Sequence, residues 1–252
     1  MWYEHDLEYP YLWALRSKAA LDWRRGLSTL DQRNIVRRQF ALPVELAPWL
    51  WLGDAACARD VPRLEALGVT HVLNVAGQGA RGPVAHYDAA GIVHQTFEAR
   101  DSAKYRMLEL HLDAAYAFVA AARATGGRIL IHCFQGLNRS GVLAAALLML
   151  ETRTDLLRAV ARLRRQRGDE SLSNKAFQAQ LVDLAKHEGL LGPPPGHPNS
   201  RVSEDPPPRS VFAAAAAAAA SGDTSAAAAR WRLPFLARIR TFAVATLSRR
   251  SI

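Results

Sequence analysis

The amino-acid sequence predicts an α/β fold with a mainly parallel central sheet and helices on both faces. Three observations predict it. Short apolar runs of strand length at 49–52, 69–75, 92–97 and 128–131 alternate with helical stretches near 59–67 and 107–124. Three further helical stretches follow, near 140–151, 154–167 and 174–187. Half of the 252 residues are apolar, enough for one sizeable core plus extensions.

Residues 1–43 read as an N-terminal extension. Its aromatics, Trp2, Tyr3, Tyr9, Tyr11, Trp13 and Trp23, recur near helical spacing, and a helix is expected from about Tyr11 to Arg25. Packing on the domain is the favoured reading; contact of an aromatic, basic segment with nucleic acid is the alternative. The domain spans 44–191. Within it, Ile129-Leu130-Ile131 reads as the end of a central strand. The run Ser140–Glu151 is apolar on nearly every face, which suits a helix buried in the core. Thr154 and Ser173 are read as N-caps. The helix near 154–167 carries Arg158, Arg162, Arg164, Arg165 and Arg167. It reads as a solvated basic face, with attraction for acidic substrates or partners as the alternative. His71, His86 and His94 lack ligand spacing and read as structural.

Composition changes from Gly192. Two proline triplets, Pro193–Pro195 and Pro206–Pro208, and two alanine runs make 192–229 a low-complexity linker. Residues 230–252 mix six arginines with bulky apolar residues. Two readings stand for this stretch: an amphipathic segment that docks an anionic membrane surface or a protein partner, or a disordered basic tail. Residues 201–252 hold eight basic and three acidic residues, so most of the net charge of +9 belongs to the tail. Only two cysteines exist, Cys57 and Cys133, which excludes a disulfide framework. Cys57 reads as a small apolar filler. No apolar run is long enough for a membrane span, and Glu4, Asp6 and Glu8 do not suit a signal peptide. A reducing compartment, cytoplasmic or nuclear, is expected.

The most informative segment is His132-Cys133-Phe134-Gln135-Gly136-Leu137-Asn138-Arg139-Ser140. Strand, tight loop and buried helix make an anion trap. Amides of Phe134 through Arg139 would line it, and the helix N-terminus adds positive potential. Cys133 would lie at its floor as a nucleophile, and Arg139 can grip two phosphate oxygens with its planar fork. Gly136 admits a backbone conformation that a side chain resists. Ser140 would hydrogen-bond the sulfur, and His132 would brace the loop. The chemistry implied is thiolate attack on a phosphoryl group. The departing oxygen then needs a proton, and the acidic residues on the loop after the strand at 92–97 are Glu98 and Asp101.

Together these residues resemble the dual-specificity branch of the cysteine-dependent protein phosphatases, in particular its small atypical members. His132-Cys133-x5-Arg139-Ser140 matches the family's catalytic loop. Trp51-Leu52-Gly53-Asp54, Leu67–Val75, Gly91-Ile92 and Leu172–Leu181 match its surroundings. The resemblance implies a three-layer phosphatase-like domain, with Cys133 as nucleophile, Arg139 as phosphate clamp, Ser140 as thiol stabiliser and Asp101 as general acid. It implies phosphoprotein substrates and a reaction needing no metal or other cofactor, since arginine and amides supply the positive field. Gly136-Leu137-Asn138-Arg139 followed by a hydroxyl residue and glycine is also similar to the RNA 5′-triphosphatase relatives. That reading, and a non-catalytic phosphate-binding adaptor, are the alternatives. Asn174–Leu181 favours the protein-phosphatase branch, and intact Cys133, Arg139 and Asp101 argue against an adaptor.

Overall fold

The computed structural model describes residues 8–16, 28 and 41–195. Five strands make one sheet: β1 (Val44–Ala47), β2 (Leu50–Gly53), β3 (His71–Asn74), β4 (Val93–Thr96) and β5 (Ile129–His132). Their spatial order is β1-β2-β5-β3-β4. β5 is central and runs parallel to β2 and β3, and β4 runs parallel to β3. β1 pairs antiparallel with β2. The sheet is mainly parallel, as expected. β1 is an addition, because Val44–Ala47 is separated from β2 only by the turn at Pro48-Trp49 and the two strands read as one apolar stretch.

Side chains of the central strand alternate between two cores, as a pleated strand requires. Ile129 and Ile131 join Leu50, Leu52 and Leu73 on one face, whereas Leu130 joins Val72 on the other. The second face is covered by α2 (Val61–Ala66) and α3 (Val84–Ala89), through Val61, Leu64 and Tyr87. The first face carries α4 (Met107–Ala124), α5 (Arg139–Thr152), α6 (Leu156–Arg167) and α7 (Lys175–His187). α4 coincides with the expected 107–124. α3 escaped the sequence reading because six residues with one buried side chain carry no periodicity. In α5 every residue from Ser140 to Thr152 is buried, which explains its lack of a polar face.

Both expected N-caps move by one residue. Asp155 caps α6 by accepting from Arg158 N at 2.9 Å. Asn174 caps α7 by accepting from Ala176 N at 3.0 Å and Phe177 N at 3.4 Å. Thr-Asp and Ser-Asn each offer two cap-forming residues in a row. Burial decides between them: Leu156 must enter the core as the first helical residue, so Asp155 is the last extended one. Thr154 Oγ1 pairs with Thr152 Oγ1 at 2.6 Å instead.

The N-terminal segment joins the same core through α1 (Tyr9–Arg16), where Ala14 and Leu15 are fully buried. Tyr11 Oη donates to Gly192 O at 2.6 Å, and Lys186 Nζ pairs with Glu8 Oε1 at 2.6 Å. The helix expected to reach Arg25 is described only to Arg16; Trp2, Tyr3, Trp23 and residues 196–252 lie outside the described residues. α6 is not the solvated basic face expected. Arg164 is buried, donating from Nη2 to Leu15 O at 2.6 Å and from Nε to Ser171 O at 3.3 Å. Among the described residues no helix is long and apolar enough to cross a membrane.

Candidate active site

The loop 132–139 leaves the central strand at its carboxyl end and enters α5, the geometry the motif called for. Its peptide groups are oriented from outside. Phe134 O accepts from Ala55 N at 3.2 Å, Leu137 O from Leu172 N at 3.1 Å and Gln135 O from Arg167 Nη2 at 2.9 Å. In a planar trans peptide the carbonyl and the next N–H point oppositely. Holding those three carbonyls outward therefore turns the amides of Gln135, Gly136 and Asn138 into the cup. Gly136 has φ +66°, and a Cβ there would lie 2.6 Å from Gly53 O. Only glycine satisfies both the left-handed backbone and that close approach to β2.

Cys133 is almost fully buried at the base of the loop. Its Sγ accepts from Gly136 N at 3.2 Å and from Ser140 Oγ at 3.2 Å. Two donors aimed at one sulfur stabilise negative charge there. Arg139 donates from Nη1 to Ala99 O at 3.2 Å, and its buried Nε has no protein partner. The ring of Phe134, half exposed at the rim, lies 5.2 Å from the Arg139 guanidinium carbon and restrains it by a cation–π contact. His132 is fully buried, and its Nδ1 lies 3.4 Å from Cys133 O while Nε2 has no partner. Burial drives its pKa down to about 4, so it is neutral at physiological pH.

The loop after β4 carries both acids. The Glu98 carboxylate accepts from Gln78 N at 3.1 Å, which commits it to the turn at 77–80. Asp101 is exposed, and its Oδ1 accepts from Asn174 Nδ2 at 2.8 Å. Asn174 also touches the phosphate loop: its backbone N donates to Asn138 Oδ1 at 3.0 Å, beside Ser173 Oγ at 3.2 Å. Gln180 on α7 holds the far end of the acid loop, donating to Tyr105 O at 2.9 Å and accepting from Leu108 N at 3.0 Å.

Several residues at the site were not singled out in the sequence. Arg167, taken there for part of a solvated face, reaches Gln135 O and faces Asp54 and Cys133. Burial pushes the Asp54 carboxyl up, but hydrogen bonds from Cys57 and Ala56 and the Arg167 charge outweigh it and hold Asp54 below the usual range. Cys57 is more than a filler. Its Sγ donates to Asp54 Oδ1 at 2.9 Å, and burial with the Asp54 contact pushes its pKa up to about 12. Leu172, at φ +60°, is held by Leu137 O and by Gln178 Nε2, which donates to Leu172 O at 2.8 Å. In the sequence Asp54 and Leu172 stand only within segments that resemble the family, Cys57 reads as a filler, and Arg167 is the last basic residue of an arginine-rich helix. Among the described residues no cluster of His, Cys, Asp and Glu could hold a metal ion.

A family model described as "Dual specificity phosphatase, catalytic domain" matches residues 50–187. Dual specificity protein phosphatase 26 of Bos taurus is 39% identical over 141 residues, covering 56% of this chain and 65% of that protein. Dual specificity protein phosphatase 13B of Homo sapiens is 31% identical over 175 residues, covering 67% and 81%. The crystal structure of human DUSP28 superposes with a TM-score of 0.51 at 27% identity, covering 58% of this chain and 95% of that one. That of a mouse putative dual specificity phosphatase complexed with zinc tungstate gives 0.53 at 28% identity, covering 59% and 91%. The chain thus spans 65% of the length of the phosphatase-26 relative.

Proposed function

The chain belongs to the dual specificity phosphatase family, and we propose from this that it hydrolyses phosphotyrosine and phosphoserine or phosphothreonine in proteins through a phosphocysteine intermediate. The observation that carries the reading is the Cys133 sulfur held between two donors, Gly136 N and Ser140 Oγ, at the base of the loop that ends in Arg139.

In the first step the Cys133 thiolate attacks phosphorus in line. The S–P bond forms as the P–O bond breaks, and the electron pair goes to the departing oxygen, which takes a proton from Asp101. Arg139 and the loop amides from Phe134 to Arg139 hold the three equatorial oxygens, whose charge peaks in the transition state. In the second step water attacks phosphorus and gives its proton to the Asp101 carboxylate. The S–P bond breaks, with the Ser140 hydroxyl donating to the departing sulfur. His132 and Arg167 brace the loop. The charge stabilisation in this scheme comes from the protein's own groups. Free thiols at Cys57 and Cys133 suit a reducing compartment, cytoplasm or nucleus.

Phosphoproteins are the proposed substrates. The RNA 5′-triphosphatase and adaptor alternatives gain no supporting observation. The tail at 230–252, with its proposed membrane or protein partner, lies outside the described residues, and liposome cosedimentation with and without it tests that role. The enzymatic reading is tested by Cys133→Ser. The variant should retain phosphopeptide binding and lose turnover, and sustained turnover would refute the assignment of the nucleophile.

A further inference from the structure

We propose that Asn174 is a positioning residue that aims the general acid at the phosphate loop. The inference rests on the proposed role of Asp101. Asn174 stands where three parts meet. Its side-chain Oδ1 caps α7 through Ala176 N and Phe177 N. Its side-chain Nδ2 donates to Asp101 Oδ1 at 2.8 Å. Its backbone N donates to Asn138 Oδ1, on the phosphate loop, at 3.0 Å. One residue thus ties the acid loop and the phosphate loop to the same rigid helix end.

The chemistry of the carboxyl group makes the middle bond consequential. Asp101 is exposed and lies five residues past the end of β4, and the side-chain contact that holds it comes from Asn174. An amide N–H can only donate, so the oxygen it binds is the one that does not carry the proton. Engaging Oδ1 leaves Oδ2 as the protonated oxygen. The departing oxygen then meets a donor already turned toward it. The capping role of Oδ1 fixes the flip of the Asn174 amide, because Oδ1 must face the α7 amides and Nδ2 is left to point at the acid loop. The cap and the acid clip are therefore two halves of one side chain.

Asn174→Ser separates them, since serine caps helices about as well as asparagine but carries no amide to reach Asp101. The backbone contact to Asn138 stays available. Turnover is measured on phenyl phosphate, whose leaving group is a strong base that needs the proton, and on p-nitrophenyl phosphate, whose leaving group needs it less. Both are small, so the comparison does not depend on protein substrates. Asn174→Ser should lower kcat/KM, which reports only the steps up to departure of the leaving group, about tenfold on phenyl phosphate, a fraction of the effect expected of a general acid. On p-nitrophenyl phosphate the fall should be less than about threefold, with competitive inhibition by inorganic phosphate within about twofold and a similar Tm. In an Asp101→Ala background the same substitution should add nothing on phenyl phosphate. Equal losses on both substrates, or losses that multiply with those of Asp101→Ala, would overturn the proposal. If the parent enzyme cleaves both small esters but no phosphoprotein, the substrate reading fails while this test stands. If it cleaves neither ester, the enzymatic reading itself fails and the proposal falls with it.

Discussion

At the residue scale, the two cysteines illustrate how environment divides one chemistry into two roles. Both are buried thiols. Cys133 accepts hydrogen bonds from Gly136 N and Ser140 Oγ and is the proposed nucleophile. Cys57 donates to the Asp54 carboxylate and stays protonated, its pKa pushed up to about 12. The thiolate is the reacting species in alkylation. Iodoacetate at neutral pH should therefore modify Cys133 and leave Cys57 intact in the folded protein, with inorganic phosphate protecting Cys133; peptide mapping by mass spectrometry reads the outcome. Gly136→Ala forces a Cβ to within 2.6 Å of Gly53 O at a left-handed φ. A non-glycine residue in strained backbone costs about 1–3 kcal/mol before any clash. The variant should lose that much stability in urea unfolding, and its kcat/KM should fall about a hundredfold or more as the cup distorts.

At the element scale, α6 and α7 act as braces for the loops that precede them in sequence. Their starts are set by which residue must first enter the core. Asp155→Ala should cost about 1 kcal/mol in urea unfolding, the usual worth of a lost cap. Thr154→Ala should cost less, because its hydroxyl pairs with Thr152 and not with a helix amide. The last turn of α6 delivers Arg167 to Gln135 O and toward Asp54. Arg167→Ala frees that carbonyl and leaves Asp54 without its neighbouring cation. The expected loss in kcat/KM is between tenfold and a hundredfold, since small displacements of catalytic groups are costly. Arg63→Ala, at an exposed position of α2, serves as the comparison, and equal losses in the two variants would contradict the brace.

At the scale of the whole molecule, two buried titrating groups tilt stability with pH in opposite directions. Burial lowers the pKa of His132 from 6.5 to about 4. The unfolded chain binds the proton more readily, so stability present above pH 6.5 is lost as pH falls toward 4. Burial raises the pKa of Glu151 from 4.5 to about 7, with the Tyr116 hydroxyl and Arg123 working against that shift. Here the folded state holds the proton, so stability present below pH 4.5 is lost as pH rises through 7. The two slopes oppose each other between pH 4.5 and 6.5. Glu151→Gln keeps the shape and removes one slope. Its Tm relative to the parent should rise from pH 5 to about pH 7 and level off above that, and a pH-independent difference would argue against a protonated Glu151 in the core.

The sequence by itself determined the proposed reaction centre and the central layer of the fold. Cys133, Gly136, Arg139 and Ser140 fall within eight consecutive residues. The roles proposed for them rest on one strand-loop-helix turn, so short-range geometry suffices to read them. The same holds for α5, whose unbroken apolar run can only be a core helix. What tertiary structure decided depends on residues far apart in the chain. The family resemblance already singles out Asp101 over Glu98, but their partners are visible only after folding: Gln78 N for Glu98, and for Asp101 the side chain of Asn174, 73 positions away. The arginines of α6 are equivalent in composition, and only the packing of α1 and the phosphate loop separates buried Arg164 and bracing Arg167 from their neighbours. A hydrogen bond across such distances has no local periodicity, because its partners are selected by the packing of whole elements.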